Sequence, residues 1–238
     1  MAPKVTPKQL EILIYLYRFR FLNRSHVQQL LHHKDPKTIN VWLKDLTDKK
    51  IIGRHYSTKL KENTKPAIYY LVAKSRQVIT GESGVDEILL KKRIYREKTR
   101  SQRFINHCLT LADFYLKLLY ASGKEKLHFF TKTDLSTHYY LPYNRPDAYI
   151  ARDKAGKIKR YFLDIVDEGT PRFILRKRIE QFIEYYDLHR WQDETGHPFP
   201  SILLLCPNEE MKVFLQKHIS QKLEEEIQAD INFYLTTN

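Results

Sequence analysis

Apolar residues first recur every three or four positions along the chain, at Leu10, Leu13, Ile14 and Tyr17. That spacing predicts a helix. Thr6-Pro7-Lys8-Gln9 supplies its start, with Thr6 as cap, Pro7 in the first turn and Gln9 completing a capping box. Val27, Leu30 and Leu31 mark a second helix, capped by Asn23 or Ser25. A third starts at Asp35-Pro36, and Ile39, Trp42, Leu43 and Leu46 make its apolar face. The period then changes. Residues 51–56 and 67–72 are apolar and aromatic and read as strands, joined by a polar, basic loop. A short helix over 74–80 closes the region, and Gly81-Glu82-Ser83-Gly84 breaks the chain.

The second half alternates. Residues 104–120 predict a long amphipathic helix with Ile105, Leu109, Ala112, Leu116 and Leu119 as its stripe. Strands follow at 126–131, 147–152 and 157–166, with Ala155-Gly156 as the turn between the last two. A helix over 173–191, an apolar strand over 201–206, a helix over 209–227 and a strand over 231–236 complete the pattern. The expected class is α+β: an N-terminal winged helix-turn-helix, then a small α/β domain with a mixed sheet. The boundaries read as 1–80 for the winged helix, 81–100 for a basic connector and 101–238 for the second domain.

Charge sharpens this division. The formal net charge is +13, and the first 100 residues hold 22 Lys/Arg against 9 Asp/Glu, so the whole excess lies there. A basic module joined to a neutral one points to a polyanionic partner for the first. No apolar run reaches the roughly 20 residues of a membrane span, and Met1–Val5 lacks the apolar stretch of a signal peptide. The two cysteines, Cys108 and Cys206, lie far apart and give neither a disulfide framework nor a metal spacing. A cytoplasmic protein with reduced, packed cysteines is the expectation, and His107 beside Cys108 reads as core. There is no Gly-rich phosphate loop, nucleophile elbow or zinc motif.

On the third helix, Lys37, Asn40, Val41 and Lys44 share a second face, with Thr38 beside them. An amide, cations and a small apolar group are what a major-groove reader needs. Arg54 and the loop residues Lys59, Lys61 and Lys65 suit phosphate contacts, as the wing of such a domain. Double-stranded DNA is the expected partner. Pairing into a homodimer and contact with replication or transfer proteins are open. The bland alternative is a solvated polar face and an ordinary hairpin tip.

Carboxylates punctuate the second domain. Arg145-Pro146-Asp147 opens one strand, and Asp164 stands near the end of the next, followed by Asp167 and Glu168. Two carboxylates on adjacent strand ends can share Mg²⁺ and activate water against a phosphodiester. On the next helix Arg178, Gln181 and Tyr185 fall on one stripe, with Lys177 alongside. Asp147 and Asp164 would hold the metal, and Lys177 or Arg178 would stabilise charge on the phosphate.

This constellation resembles the PD-(D/E)xK nuclease fold, and Gln181-x-x-x-Tyr185 is similar to its RecB-like members. The position of that motif's lysine holds Val166. A wider resemblance runs through Thr6–Leu13, Arg20-Phe21-Leu22, Pro146-Asp147-Ala148 and Asp167-Glu168-Gly169-Thr170. These residues, in this order, resemble the replication-relaxation family. The resemblance implies a winged helix joined to a nuclease-like domain, encoded on plasmids and other mobile elements and acting on their DNA. Where the family strand carries an acid, two residues before the aspartate of Asp-x-Gly-Thr, this chain has Ile165.

Three functions fit. The first is a DNA-binding protein of a mobile element, acting in replication, relaxation or transfer or their regulation, with a degenerate nuclease-like domain. The second is an active Mg²⁺-dependent endonuclease targeted by the winged helix. The third is a transcription regulator whose second domain dimerises or senses a ligand. Convergence of the Asp147 carboxylate with that of Asp164 or Asp167 on one cation site separates the second from the first.

Overall fold

The computed structural model describes residues 3–56, 66–123, 125–225 and 230–237. It is an α+β protein that divides into two compact units, Met1–Tyr120 and Ala121–Asn238.

The first unit opens with α1 (Pro7–Phe19), β1 (Leu22–Asn23), α2 (Arg24–Leu30) and α3 (Pro36–Asp48). The expected capping box at Thr6 and Gln9 is formed, and a second is closed by Asn23 and His26 at the head of α2. Asp35 caps α3 by accepting the N–H groups of Lys37 and Thr38. Ile39, Leu43 and Leu46 on α3 are fully buried, together with Ile12, Leu13 and Leu16 of α1. Strands β2 (Ile52–His55) and β3 (Ile68–Leu71) follow, and the three strands form an antiparallel sheet in the order β1-β3-β2. At Gly53, opposite Tyr70 in the register, a Cβ would lie 2.5 Å from the tyrosine ring. Glycine is therefore required there by close approach.

The basic run 91–100 is not a bare connector. Helix α4 (Arg76–Ile79) follows β3, and α5 (Glu87–Ile94) buries Leu90 and Ile94. Glu97, inside the run, is 4% exposed and bound to Arg20 through two hydrogen bonds of 2.9 and 3.0 Å. Burial, with Arg20 nearby, lowers the Arg93 guanidinium to about 10.

The long helix α6 (Gln102–Ser122) also departs from the expected boundary at 101, because almost all of it belongs to the first unit. Ile105 and Cys108 pack in one cluster with Phe21 and Tyr70. Phe19 meets Tyr115 at 5.4 Å between ring centroids. His26 accepts the Asn23 N–H on Nδ1, so its Nε2 is the protonated nitrogen and donates to Asp113 at 2.8 Å. The apolar stripe of α6 covers the three-stranded unit.

The second unit is one mixed five-stranded sheet in the order β4-β5-β6-β7-β8. Strands β4 (Lys126–Thr131), β5 (Ala148–Lys154) and β6 (Lys157–Ile165) are antiparallel. Strands β7 (Ser201–Cys206) and β8 (Phe233–Thr237) run parallel to β6, reached through α7 (Arg172–Asp187) with α8 (Arg190–Thr195), and through α9 (Glu209–Glu225). Such crossovers are what parallel strands require. The single helix expected over 173–191 is broken where His189 takes a φ of 54°, and this lets Trp191 turn into the core. Phe162, Ile202, Leu204 and Cys206 of the sheet pack with Ile179, Phe182 and Leu215 of α7 and α9. Among the described residues, no helix is long and apolar enough to cross a membrane.

Candidate DNA-binding and nuclease-like sites

The polar face of α3 is turned to solvent. Lys37, Asn40, Val41 and Lys44 are exposed, and Val41 is 64% exposed despite its apolar side chain. Thr38 differs from the others. Its hydroxyl donates to Asp35 Oδ2 at 2.7 Å, which commits it to the cap. That bond, with the two backbone N–H groups, holds the Asp35 carboxyl below its ordinary value. Arg54 on β2 is exposed, its guanidinium 5.8 Å from the Tyr56 ring centroid. Lys59, Lys61 and Lys65 lie outside the described residues.

In the second unit, Asp147 is pinned directly before β5. Its N–H donates to Leu163 and its carbonyl accepts from Lys132 N–H. Since Ala148 pairs with Leu163 across β5 and β6, the next rung places Asp147 opposite Asp164. Asp147 Oδ2 accepts the Ile165 N–H at 2.9 Å. Like charges opposed across a strand pair repel, and here a cation of the chain answers them.

That cation is Arg178, one turn and a half into α7. Its Nη2 donates to Asp164 Oδ1 at 2.9 Å and its Nε donates to Oδ2, so the guanidinium occupies both carboxylate oxygens. Its Nη1 donates to the Asn144 carbonyl at 2.6 Å, and its Cζ lies 4.2 Å from the Phe182 ring centroid. Burial raises the Asp164 carboxyl, Arg178 opposes that rise, and Asp147 adds to it. Burial alone would lower Arg178, but the Asp164 carboxylate reverses this and holds it above its ordinary value.

The structure therefore brings Asp147, Asp164 and Arg178 together. Gln181 joins through Asn144, whose side-chain amide donates to Gln181 Oε1 at 3.2 Å. Tyr185 does not join them: it is buried, with its hydroxyl on the Tyr140 carbonyl at 3.1 Å. Lys177, the residue before Arg178, is exposed. Asn144 and Lys132 are the residues that sequence reasoning missed. Arg145 explains the placement of Asn144, because its guanidinium donates to the carbonyls of Leu135, Ser136 and His138 and so fixes the loop.

A divalent cation at Asp147 and Asp164 needs carboxylate oxygens directed at it. Both oxygens of Asp164 are occupied by Arg178, and Asp147 Oδ2 by the Ile165 amide. As arranged, these donors do not fit Mg²⁺. Among the described residues, no group of three or more His, Cys, Asp or Glu side chains gathers elsewhere to hold a metal.

The model of the replication-relaxation family matches residues 13–201, well over half of the chain. The chain belongs to the replication-relaxation family. The match spans both units, from α1 to the start of β7. No curated protein matches this family member. Among solved structures, a variant of Lactococcus lactis ZitR is similar at 16% identity, over 51% of this chain and 77% of that one, with a TM-score of 0.30. YusO from Bacillus subtilis is similar at 21% identity, over 49% and 76%, with a TM-score of 0.28. The restriction endonuclease FokI bound to DNA is similar at 12% identity, over 99% of this chain and 44% of that one, with a TM-score of 0.33.

Proposed function

We propose that this replication-relaxation protein binds double-stranded DNA of a plasmid or other mobile element and acts in its replication, relaxation or transfer, or in their regulation. The first unit serves as a winged helix that reads the major groove with α3. The observation that carries this is the face of α3 itself. Its apolar residues are spent on the core, and Val41 stands exposed between the donors of Asn40 and the cations of Lys37 and Lys44. An exposed valine among cations suits a thymine methyl flanked by phosphates.

The second unit is a nuclease-like fold that does not cut. The bidentate grip of Arg178 on Asp164 supports this, since a guanidinium already neutralises the carboxylates that would hold a metal. The competing reading, an active endonuclease, draws on the opposed Asp147 and Asp164.

One experiment separates them. The purified protein is incubated with supercoiled plasmid, with and without Mg²⁺ or Mn²⁺, and both nicking and gel retardation are read. The expected result is retardation that weakens with salt, lost in a Lys37→Ala/Asn40→Ala/Lys44→Ala variant, and no nicking. Metal-dependent nicking abolished by Asp147→Ala would establish the endonuclease instead.

A further inference from the structure

The outer rungs of the β5–β6 hairpin set like charges face to face. Arg152 pairs across with Lys159, and Lys154 with Lys157. These two rungs, separated by that of Asp153 and Ile158, share one face and work against the pairing of the strands. The turn leaves no room to disperse them. Ala155 and Gly156 both take positive φ, 51° and 81°, forming the tight two-residue connection that fixes hairpin register.

The cations line an open groove of about 410 Å³ with Tyr161 and a carboxylate, Glu125. Glu125 accepts from Arg152 at 2.7 Å and lies 3.5 Å from Lys154. Lys157 and Lys159 are exposed. The Nε of Arg152 is buried and has no hydrogen-bond partner among the described residues. Residues 101–238 hold 19 Lys/Arg and 19 Asp/Glu, so this clustering is not a consequence of bulk charge.

Aromatic surface continues the row. Alternate strand residues share a face, which places Tyr161 beside Lys159 and Lys157. Its ring meets that of Tyr234 on β8 at 6.2 Å, and Tyr234 is 53% exposed. Cations that track a backbone, next to rings on which bases can stack, are the elements of a single-strand site. Duplex bases are already stacked inside the helix and cannot use the rings.

We propose that this groove binds single-stranded DNA, with phosphates on Lys154, Lys157 and Lys159 and bases on Tyr161 and Tyr234. It is a second DNA contact, distinct in chemistry from α3, and it does not depend on the function proposed for α3.

The test uses the full chain carrying Lys37→Ala/Asn40→Ala/Lys44→Ala, so that α3 is silenced. Fluorescence anisotropy follows a labelled oligothymidylate of about 20 nucleotides at several salt concentrations. Retained binding is expected. Adding Lys154→Gln/Lys157→Gln/Lys159→Gln should weaken it at least tenfold and reduce the slope of log K on log salt by about 2, at roughly 0.7 per phosphate. These exposed neutralisations relieve repulsion, so the melting temperature should hold or rise. Tyr234→Ala should weaken binding about five- to a hundredfold with the slope unchanged. The proposal is overturned if the α3 background alone abolishes binding, if the glutamine variant binds as before, or if a duplex of equal length competes as well as the single strand.

Discussion

Arg178 holds Asp164 by two parallel hydrogen bonds while Asp147 faces the same carboxylate across the strand pair. The side chains of Arg178 and Asp164 are only 12% and 14% exposed. Removing one partner of such a buried pair strands the other and costs about 3–5 kcal/mol, whereas replacing both by apolar groups is close to neutral. Arg178→Met should therefore destabilise the second unit by about that amount, and Arg178→Met/Asp164→Leu should recover most of it. Urea unfolding followed by tryptophan fluorescence reads both, since Trp191 lies in this unit's core. Equal loss in the single and double variants would mean that the pair is not what neutralises the carboxylates.

The acid limb of stability has a local source in the first unit. The Thr38 hydroxyl, then the Lys37 amide, holds the Asp35 carboxyl below its ordinary value. A depressed folded-state value contributes stability above the unfolded-state value, and that contribution is lost as pH falls through the folded one. The head of α3 should fray on acidification in that window. Amide exchange at Lys37 and Thr38 should rise there, and Asp35→Asn, which can still cap, should remove the pH dependence without melting the helix. Exchange that is flat with pH in the parent protein would contradict this.

Gly53 is the position in the three-stranded sheet with least tolerance. A Cβ there meets the Tyr70 ring at 2.5 Å, and that ring stacks on His55 at 4.7 Å and lies tilted against Phe21 at 5.8 Å. With Tyr70 4% exposed, the ring has little room to retreat. Gly53→Ala should cost about 1–3 kcal/mol, as overpacking does. Tyr70→Leu should relieve the clash, so the double variant should be more stable than the sum of the two single costs. Thermal melts of the four proteins decide it.

Periodicity and capping made most elements legible. Thr6-Pro7-Lys8-Gln9 and Asp35-Pro36 state their caps in sequence, and 126–131 and 201–206 match the observed strands. What was not legible is what each face packs against. The stripe on α6 says that it buries one side, yet nothing in Ile105 or Cys108 names Phe21 and Tyr70 as partners, so the pattern alone groups with the second domain a helix that packs in the first unit. Glu97 was hidden in a basic run because its partner, Arg20, lies 77 residues away. In the second unit, the opposition of Asp147 and Asp164 follows from strand order. The neutralisation by Arg178 depended on the rotation of α7 over the sheet, which no local pattern encodes.

The placement of α6 predicts where the first unit can be cut. A chain ending at residue 80 loses Ile105 and Cys108 from the cluster of Phe21 and Tyr70, the Tyr115 contact with Phe19, and the Asp113 partner of His26. It also loses Glu97, leaving Arg20 without its bidentate acceptor. Exposed apolar surface of this kind is a liability for a small domain. Residues 1–122 should unfold in one cooperative transition, while residues 1–80 should melt broadly or aggregate. His26→Ala in the longer piece should lower its stability by about 1–3 kcal/mol, because the Asn23 amide then loses its acceptor and Asp113 its donor. Asp113→Asn keeps an acceptor for His26 Nε2 and should cost less. If residues 1–80 fold as cooperatively as 1–122, α6 is an accessory to the first unit and not part of its core.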